Sequence, residues 1–182
     1  MKVALLGPEG TFTHQAAAEY FTDLQPCFCS TIEEVFESDI KVKLVPVENS
    51  LGGGVRDTID LLRESENKVT GEKLLPINHT VVSSEESIED VDTVVSHPQA
   101  LAQCQDFVAK HELDTRKADS TADAAENLSS GEAALASKVT ADIYDLNVLG
   151  ESVQDEDTNT TRFLILNSEV EAELSKTSLI LE

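Results

Sequence analysis

The chain has 182 residues, of which 40% are hydrophobic, and its 35 acidic and 13 basic residues give a formal net charge of -22. This length and apolar content can bury a core as one domain or as two small lobes that share a cleft. The spread of acidic residues argues against a nucleic-acid partner, and no apolar run approaches the roughly 20 residues of a membrane helix. We therefore expect a soluble cytoplasmic protein. An evenly acidic surface also predicts a halophilic source, because molar salt screens its self-repulsion.

Four stretches repeat a pattern of a short apolar run, a tight polar loop and the periodicity of a helix. The first run ends at Gly7 and Pro8, and after Gly10 the alanines Ala16 and Ala17 continue a helical pattern. Alternating strands and helices with short connections predict an α/β fold. The predicted strands are residues 3–6, 42–47, 93–95 and 115–118, and a helix follows each of them.

The three cysteines predict reduced thiols and no zinc. Cys27 and Cys29 alternate within an apolar stretch that is typical of a strand, and Cys104 lies in a helical pattern. A Cys-x-Cys pair can ligate a soft metal, but an odd number of cysteines without further ligands favours a structural role. We expect no metal site and no cofactor.

Two segments predict crossings of the chain between two lobes. Residues 69–83 form a long strand-like segment with Pro76 inside it, and residues 155–161 are polar before the apolar run at 163–166. Proline and polar clusters of this kind interrupt regular elements.

This organisation assigns residues 1–75 and about 162–175 to lobe one, and residues 76–161 to lobe two. Residues 176–182 give a fresh strand signal with nothing left in the chain to pair with. That signal predicts the start of a further, truncated domain.

The loops that follow the four strands are rich in small polar side chains. In open α/β sheets, ligands collect beyond the carboxyl ends of strands, where backbone N–H groups at helix starts favour negative charge. Taken together the loops predict an anion-binding cleft, whereas each one alone is more simply explained as a helix cap. The first loop lacks the third glycine of a dinucleotide site and the lysine of a P-loop. The loops are residues 7–11, 48–54, 96–99 and 119–121.

A few charged side chains are candidates for binding or acid–base chemistry. Arg162 stands directly before an apolar strand. Its forked donors could bind a carboxylate in two places, and an ion pair with a nearby acid explains it equally well. Arg56 is more simply solvated. His79 and His97 could serve as acid or base, but for His97 a hydrogen bond within its own turn is the simpler interpretation.

Five stretches stand in a fixed order along nearly the whole chain: GPEGTFTHQAA at 7–17, VPVENSLGGGV at 45–55, SHPQALAQC at 96–104, DSTADAA at 119–125 and NTTRF at 159–163. In this order they resemble the prephenate dehydratase family. Any one of them is a weak signal, but a chance match does not explain all five in the correct order.

The resemblance implies two α/β lobes with a cleft between them, similar to type-II periplasmic binding proteins, and an active site between the lobes. It implies the conversion of prephenate to phenylpyruvate, water and carbon dioxide in phenylalanine biosynthesis, with neither metal nor cofactor. It also implies a regulatory ACT domain that binds phenylalanine as an allosteric effector. Residues 176–181 look like the first strand of that domain, so we expect the effector to act only through a part that this chain lacks.

The family resemblance also implies roles for single residues. Thr161 is implied as the donor to the leaving hydroxyl, and Arg162 as an anchor for a carboxylate or for the geometry of the site. A threonine hydroxyl is a poor acid, so we expect a positioned hydrogen-bond donor rather than a proton source. Glu48 could assist protonation or orient its neighbour, and the second role is favoured. The implied substrate-binding residues are Thr11, Asn49, Ser50, Ser96, Gln103 and Phe163.

Two other functions fit the same pattern. Arogenate dehydratase differs only in whether the substrate side chain carries a keto or an amino group, and the sequence does not separate the two. A non-catalytic two-lobed module would bind an amino acid and release it unchanged. For either enzyme we expect a homodimer or a higher homo-oligomer.

Overall fold

The computed structural model describes residues 1–169, which form two compact units with one β-sheet each. Unit one contains Met1–Gly7, Ala16–Pro76 and the described residues from Asn159 onward, and unit two contains Pro8–Gln15 and Ile77–Thr158. Both units combine strands with helices, so the predicted α/β class is confirmed.

The units differ from the predicted lobes at three places. Pro76 and residues 159–161, which the sequence assigns to lobe two, belong to unit one. The sequence assigns all of residues 1–75 to lobe one, whereas Pro8–Gln15 groups with unit two. The backbone carbonyl of Gly10 accepts hydrogen bonds from Ser137 Oγ at 2.7 Å and Thr140 Oγ1 at 3.0 Å, which ties this segment to unit two. The strand predicted at 176–181 lies outside the described residues.

In chain order the strands and helices are β1 (Lys2–Leu6), α1 (Phe12–Tyr20), β2 (Gln25–Cys29), α2 (Ile32–Glu37), β3 (Lys43–Asn49), β4 (Gly53–Gly54), α3 (Arg56–Glu64), β5 (Val69–Pro76), β6 (Thr80–Ser83), β7 (Thr93–Ser96), α4 (Pro98–Gln103), α5 (Gln105–Lys110), β8 (Asp114–Lys117), α6 (Thr121–Glu126), β9 (Glu132–Ala136), α7 (Val139–Tyr144), β10 (Asn147–Gly150) and β11 (Thr160–Leu166). A short 3-10 turn, Ile88–Asp90, precedes β7. None of the described helices is both long and apolar enough to cross a membrane.

The sheet of unit one has six strands, in the order β2-β1-β3-β11-β5 with β4 paired to β3. β1 runs parallel to β2 and β3, while β11 runs antiparallel to both β3 and β5. Successive side chains of a strand alternate between faces, so Leu164 and Leu166 of β11 share one face. They pack with Ala4 of β1, Val45 of β3 and Val35 of α2 in a buried cluster.

The sheet of unit two has five strands in the order β10-β6-β9-β7-β8, and helices cover both of its faces. Neighbouring valines of β6 show the alternation, since Val81 packs in the cluster that holds Ala100 and Cys104. Val82 packs in the other cluster, with Ala124 and Ala125 of α6. Burial on both faces explains why the central strands are apolar throughout.

Two predicted elements are each divided in the structure. The strand-like segment 69–83 forms β5 in unit one and β6 in unit two. The single helix predicted after residue 97 forms α4 and α5, with a break at Cys104. The break has a local cause, because Asp155 carboxylate oxygens accept from the backbone N–H groups of Gln105 and Asp106, both at 3.0 Å, and so cap a new helix.

Candidate functional site

Asn49, the last residue of β3, connects the two sequence motifs of unit one. Its Oδ1 accepts hydrogen bonds from the backbone N–H groups of Leu51 at 3.0 Å and Gly52 at 2.8 Å. Its Nδ2 donates to Asn159 Oδ1 at 2.7 Å and to Thr161 Oγ1 at 2.9 Å. Two donors and two acceptor positions are the full capacity of a carboxamide, so the Asn49 side chain is held in one orientation.

This orientation determines the direction of the hydrogen bond to Thr161. Backbone N–H groups can only donate, so the Asn49 oxygen must face Leu51 and Gly52, and its nitrogen must face Thr161. The Thr161 oxygen is therefore the acceptor, and the hydroxyl proton points elsewhere. Among the hydrogen bonds of residues 1–169, Thr161 Oγ1 donates none. The hydroxyl is a positioned donor that an added ligand can use.

Ser50 aligns the start of β11. Its Oγ accepts from the backbone N–H of Thr160 at 2.9 Å, and its own backbone N–H donates to the Thr160 carbonyl at 2.9 Å. These two bonds extend the β3–β11 pairing, in which Asn49 lies opposite Thr161. Ser50 is exposed, so its hydroxyl combines a backbone contact with access to solvent.

Arg162 forms an ion pair with Glu72 of β5. Its Nε and Nη2 lie 2.9 Å and 2.8 Å from Glu72 Oε2, and both side chains are 28% exposed. Arg162 lies opposite Leu74, and Glu72 lies opposite Leu164, so the two charges are diagonal neighbours on one face. The sequence left two explanations for Arg162, binding of a ligand carboxylate and an ion pair with a nearby acid. The structure contains the ion pair, with Glu72. Within the described part of the chain, its Nη1 makes no hydrogen bond.

Two residues predicted from the sequence occupy positions that favour other roles. Glu48 is exposed and lies opposite Arg162 in the β3–β11 register, and the Asn49 amide is oriented by groups other than Glu48. Phe163 is 2% exposed, next to a register shift between Arg162 and Phe163. Such burial favours packing in the core over contact with a substrate.

In unit two, Thr11 and Ser96 differ in accessibility. Thr11 is partly exposed at the start of α1, and its Oγ1 accepts from the backbone N–H of His14 at 3.4 Å. Ser96, at the end of β7, is 0% exposed and donates to the Leu135 carbonyl at 2.6 Å. The Ser96 hydroxyl is therefore used within the sheet, which favours a structural role over the predicted substrate contact.

Gln103 ends α4 and contacts a buried histidine. Its Oε1 lies 2.9 Å from His79 Nε2, and His79 is 3% exposed. Burial lowers the pKa of His79, and the hydrogen bond to Gln103 opposes that shift. His97 is exposed and caps α4, with Nδ1 accepting from the backbone N–H of Gln99 at 3.2 Å. The simpler interpretation of His97 is therefore confirmed.

The cysteines are all free thiols with different accessibility. Cys27 is exposed, Cys29 is partly exposed and Cys104 is buried. Burial raises the pKa of the Cys104 thiol to about 12, and the nearby Asp155 carboxylate acts in the same direction. Among residues 1–169, no group of three or more His, Cys, Asp or Glu side chains could hold a metal ion.

The chain is similar to known proteins over nearly its whole length. The family model for prephenate dehydratase matches residues 3–171. The chain belongs to the prephenate dehydratase family. A bifunctional chorismate mutase/prephenate dehydratase of Aquifex aeolicus is 42% identical over 178 residues, covering 91% of this chain and 48% of the relative. An arogenate dehydratase/prephenate dehydratase of Arabidopsis thaliana is 36% identical, covering 93% of this chain and 45% of that protein. This chain thus spans about half the length of these relatives.

Solved structures share the fold. One, described as GqqA, a novel type of quorum-quenching acylase, superimposes with a TM-score of 0.82 at 27% identity, covering 98% of this chain and 67% of that one. A prephenate dehydratase from Arthrobacter aurescens in complex with L-Phe gives a TM-score of 0.79 at 28% identity, covering 96% of this chain and 63% of that one. The likeness includes both units, since each match covers nearly all of this chain.

Some residues of this prephenate dehydratase family member were missed by sequence reasoning. Asn159 accepts from Asn49, and Glu72 pairs with Arg162. The position of Asn159 inside the NTTRF motif was a usable signal, whereas no pattern distinguishes Glu72 among 35 acidic residues. His79 was considered only as an acid or base, and its contact with Gln103 was not foreseen.

Proposed function

We propose that the chain catalyses the decarboxylating dehydration of prephenate to phenylpyruvate in phenylalanine biosynthesis. The observation that carries this proposal is the Thr161 hydroxyl, which accepts from Asn49 and keeps its proton for a ligand. In the reaction, the bond between the ring and its carboxylate breaks and releases carbon dioxide, and that electron pair enters the ring. The bond from the ring to the hydroxyl breaks as well, and the departing oxygen leaves as hydroxide, which a proton from solvent converts to water.

Thr161 acts in this proposal as a hydrogen-bond donor to the departing oxygen. A threonine hydroxyl is too weak an acid to supply the proton, but a donor aimed at developing negative charge lowers the barrier without losing its proton. Because Asn49 holds the Thr161 oxygen from the other side, the hydroxyl needs no reorganisation when charge develops. Preorganisation of this hydrogen bond therefore lowers the barrier more than any proton transfer from Thr161 would.

The remaining residues have supporting roles in this proposal. Arg162 anchors the geometry of β11 through Glu72, rather than offering its full fork to a substrate carboxylate. Asn49 positions Thr161, and Ser50 aligns the strand that carries it. Thr11 and Gln103 are proposed to orient the substrate through neutral donors, because an anion held too tightly by charge would resist loss of its carboxylate.

A direct assay tests the proposal. Prephenate is incubated with the chain, and phenylpyruvate is followed by its ultraviolet absorbance, with Thr161→Val as the matched variant. We expect turnover by the parent that is independent of exhaustive chelation. Absence of phenylpyruvate with folded parent protein would contradict the proposal. Binding of prephenate without turnover would instead support the non-catalytic module.

Arogenate is a second candidate substrate. It is favoured by the similarity to the Arabidopsis relative, whose name includes both activities. Kinetics on prephenate and arogenate side by side decide between them, and we expect the larger kcat/KM on prephenate. A larger value on arogenate would reverse the assignment.

We also propose a cellular setting for the enzyme. The proposed setting is the cytoplasm of a halophile. Molar salt there would screen the repulsion within a chain of net charge -22. We propose a homodimer or higher homo-oligomer, with phenylalanine as an allosteric effector. Sedimentation in molar salt that detects only monomer would contradict the homo-oligomer.

A further inference from the structure

The pairing of β3 with β11 contains one extra residue on β3. Arg162 lies opposite Glu48, whereas the next residue, Phe163, lies opposite Pro46. Val47 is therefore unmatched on β11, and the register shift at this point is a β-bulge. A bulge bends its strand and re-aims the side chains that follow it. This one lies directly before the end of β3, where the proposed site begins.

The bulge determines which face of the sheet carries Asn49. Val45 lies in a buried apolar cluster with Leu164, and Val47 packs against the same cluster. In a regular strand the side chain of residue 49 would point to that face as well, because the period is two residues. Thr161 precedes Leu164 by three residues of regular β11 pairing with β5, so it lies on the opposite face. Asn49 reaches Thr161 only because of the extra residue.

Two groups near the start of α3 hold the bulge. The backbone N–H of Val55 donates to the Val47 carbonyl at 2.8 Å. The hydroxyl of Thr58, a residue that is 0% exposed, donates to the Pro46 carbonyl at 2.6 Å. Pro46 has no N–H group, and within a central strand proline is typical of a bulge. Two successive carbonyls of β3 are thus bound by one short segment of chain.

We propose that Thr58 is a positioning residue whose buried hydroxyl holds this β-bulge and so keeps Asn49 on the face where it binds Thr161. The proposal rests on the proposed function, in which the Thr161 hydroxyl acts on the departing oxygen. Without the Thr58 hydroxyl, the Pro46 carbonyl loses its hydrogen bond, and the regular register that turns Asn49 toward the apolar cluster becomes more accessible. Any shift of the Asn49 amide changes the aim of Thr161, because that amide holds the Thr161 oxygen.

Two substitutions separate the hydroxyl of Thr58 from its packing. Thr58→Val keeps the buried shape and removes the hydroxyl, whereas Thr58→Ser keeps the hydroxyl and removes a buried methyl group. We expect Thr58→Val to lower kcat by about tenfold with KM near the parental value, since a displacement of about 1 Å at a reacting group can cost about 100-fold. Thr58→Ser should recover most of the lost kcat, although its missing methyl group lowers the melting temperature.

Val55→Pro loosens the same bulge without touching the buried Thr58. Proline has no N–H group to donate to the Val47 carbonyl, and the φ of Val55, -82°, is close to the value that proline fixes. We expect a loss of kcat similar to that of Thr58→Val. This variant tests the bulge even if Thr58→Val does not fold.

Thr70→Val is the matched control in the same sheet. The Thr70 hydroxyl also donates to a backbone carbonyl, that of Ile165 at 3.2 Å, but away from the bulge. We expect it to lower the melting temperature and to leave kcat within a few-fold of the parent. In a Thr161→Val background, Thr58→Val should lower kcat no further, because the group that it positions is gone.

Nitrogen-15 spectra give a readout that does not depend on turnover. The side-chain amide signal of Asn49 is identified by its loss in Asn49→Asp. It should shift in Thr58→Val and return toward the parental position in Thr58→Ser, whereas Thr70→Val should leave it unchanged.

The outcomes separate this proposal from the proposed function. A parent that does not turn over prephenate overturns the proposed function, and the catalytic role of Thr58 with it. With an active parent, parental kcat in folded Thr58→Val or Val55→Pro overturns the positioning role alone. A loss that multiplies with that of Thr161→Val, or an Asn49 amide signal that does not move in Thr58→Val, overturns it as well.

Discussion

Asn49 donates a 2.9 Å hydrogen bond to the hydroxyl of Thr161, and the two residues lie directly opposite each other in the β3–β11 pairing. Since the Asn49 oxygen is already used by two backbone N–H groups, this bond has only one possible direction. Thr161 is consequently an acceptor toward Asn49, and in the proposed reaction its hydroxyl is the donor to the substrate.

Thr161→Val should reduce turnover and barely change substrate affinity. Valine preserves the shape and strand preference of threonine while it removes the hydroxyl. A donor that acts on charge developing in the transition state contributes mainly to kcat, and its loss typically costs about 100- to 1000-fold, or about 2.7 to 4 kcal/mol. Steady-state kinetics of the folded variant measure the effect.

Thr160→Val is the matched control, since Thr160 is the preceding residue of β11 and its contacts with Ser50 are made by backbone atoms. We expect its turnover to stay within a few-fold of the parent. If Thr161→Val instead lowers stability and leaves turnover of the folded fraction near the parent, Thr161 has a structural role only.

Asn49→Asp should inactivate the site by reversing one hydrogen bond. Aspartate can still accept from the Leu51 and Gly52 N–H groups, but an ionised carboxylate cannot donate to Thr161. The Thr161 hydroxyl would then donate to residue 49 and lose its proton for the leaving oxygen. We expect a fall in kcat similar to that of Thr161→Val, and a double variant no slower than either single one. Multiplied losses in the double variant would show that the residues act independently.

Arg162→Lys and Glu72→Gln should have similar, small effects. The ion pair is partly exposed, with both side chains 28% exposed, and a pair of this kind typically contributes about 0 to 1 kcal/mol. If Arg162 acts through Glu72, each substitution shifts unfolding and kcat/KM slightly, and the double variant resembles the single ones. A loss of kcat/KM confined to Arg162→Lys would instead indicate that Arg162 binds a substrate carboxylate with its fork.

Local patterns predicted the elements whose cause is local. The four strands expected at 3–6, 42–47, 93–95 and 115–118 correspond to β1, β3, β7 and β8. The cap at Ser120 was also predictable, because its hydroxyl accepts from the backbone N–H of Asp123, three residues along the chain.

Features that depend on distant residues were not predictable. β9 has the sequence EAALA, whose alanines favour a helix, yet it is a strand because the sheet of unit two buries it on both faces. The helix break at Cys104 depends on Asp155, which caps the helix that follows it. The guanidinium of Arg162 is bound by Glu72, which is 90 residues away in the sequence. Ser96 looked like a ligand contact from its motif, but its hydroxyl is used by the Leu135 carbonyl.

The three cysteines should react with alkylating reagents in the order of their exposure. Cys27 is exposed, whereas Cys104 is buried and its pKa is raised to about 12, so near pH 8 its sulfur is a protonated and inaccessible thiol. We expect iodoacetamide to label Cys27 in the native protein and Cys104 only after denaturation, as measured by peptide mass spectrometry. Rapid native labelling of Cys104 would show that α4 and α5 open readily.

The melting temperature should rise by several degrees between low salt and about 1 M potassium chloride, where the Debye length falls to about 3 Å. The cause is the net charge of -22, which makes the folded state repel itself more strongly than the expanded one. Ion pairs such as Lys41–Glu169 and Lys138–Glu151 weaken in salt, but they are exposed and contribute little. Screening of repulsion should therefore dominate.

Low concentrations of guanidinium chloride and urea provide the control for this effect. Both weaken hydrophobic burial, but only guanidinium is a salt, so it should raise the melting temperature slightly before it lowers it, while urea lowers it from the start. A melting temperature that is flat or falls with potassium chloride would mean that repulsion does not limit stability. The inference of a halophilic source would then have no physical support.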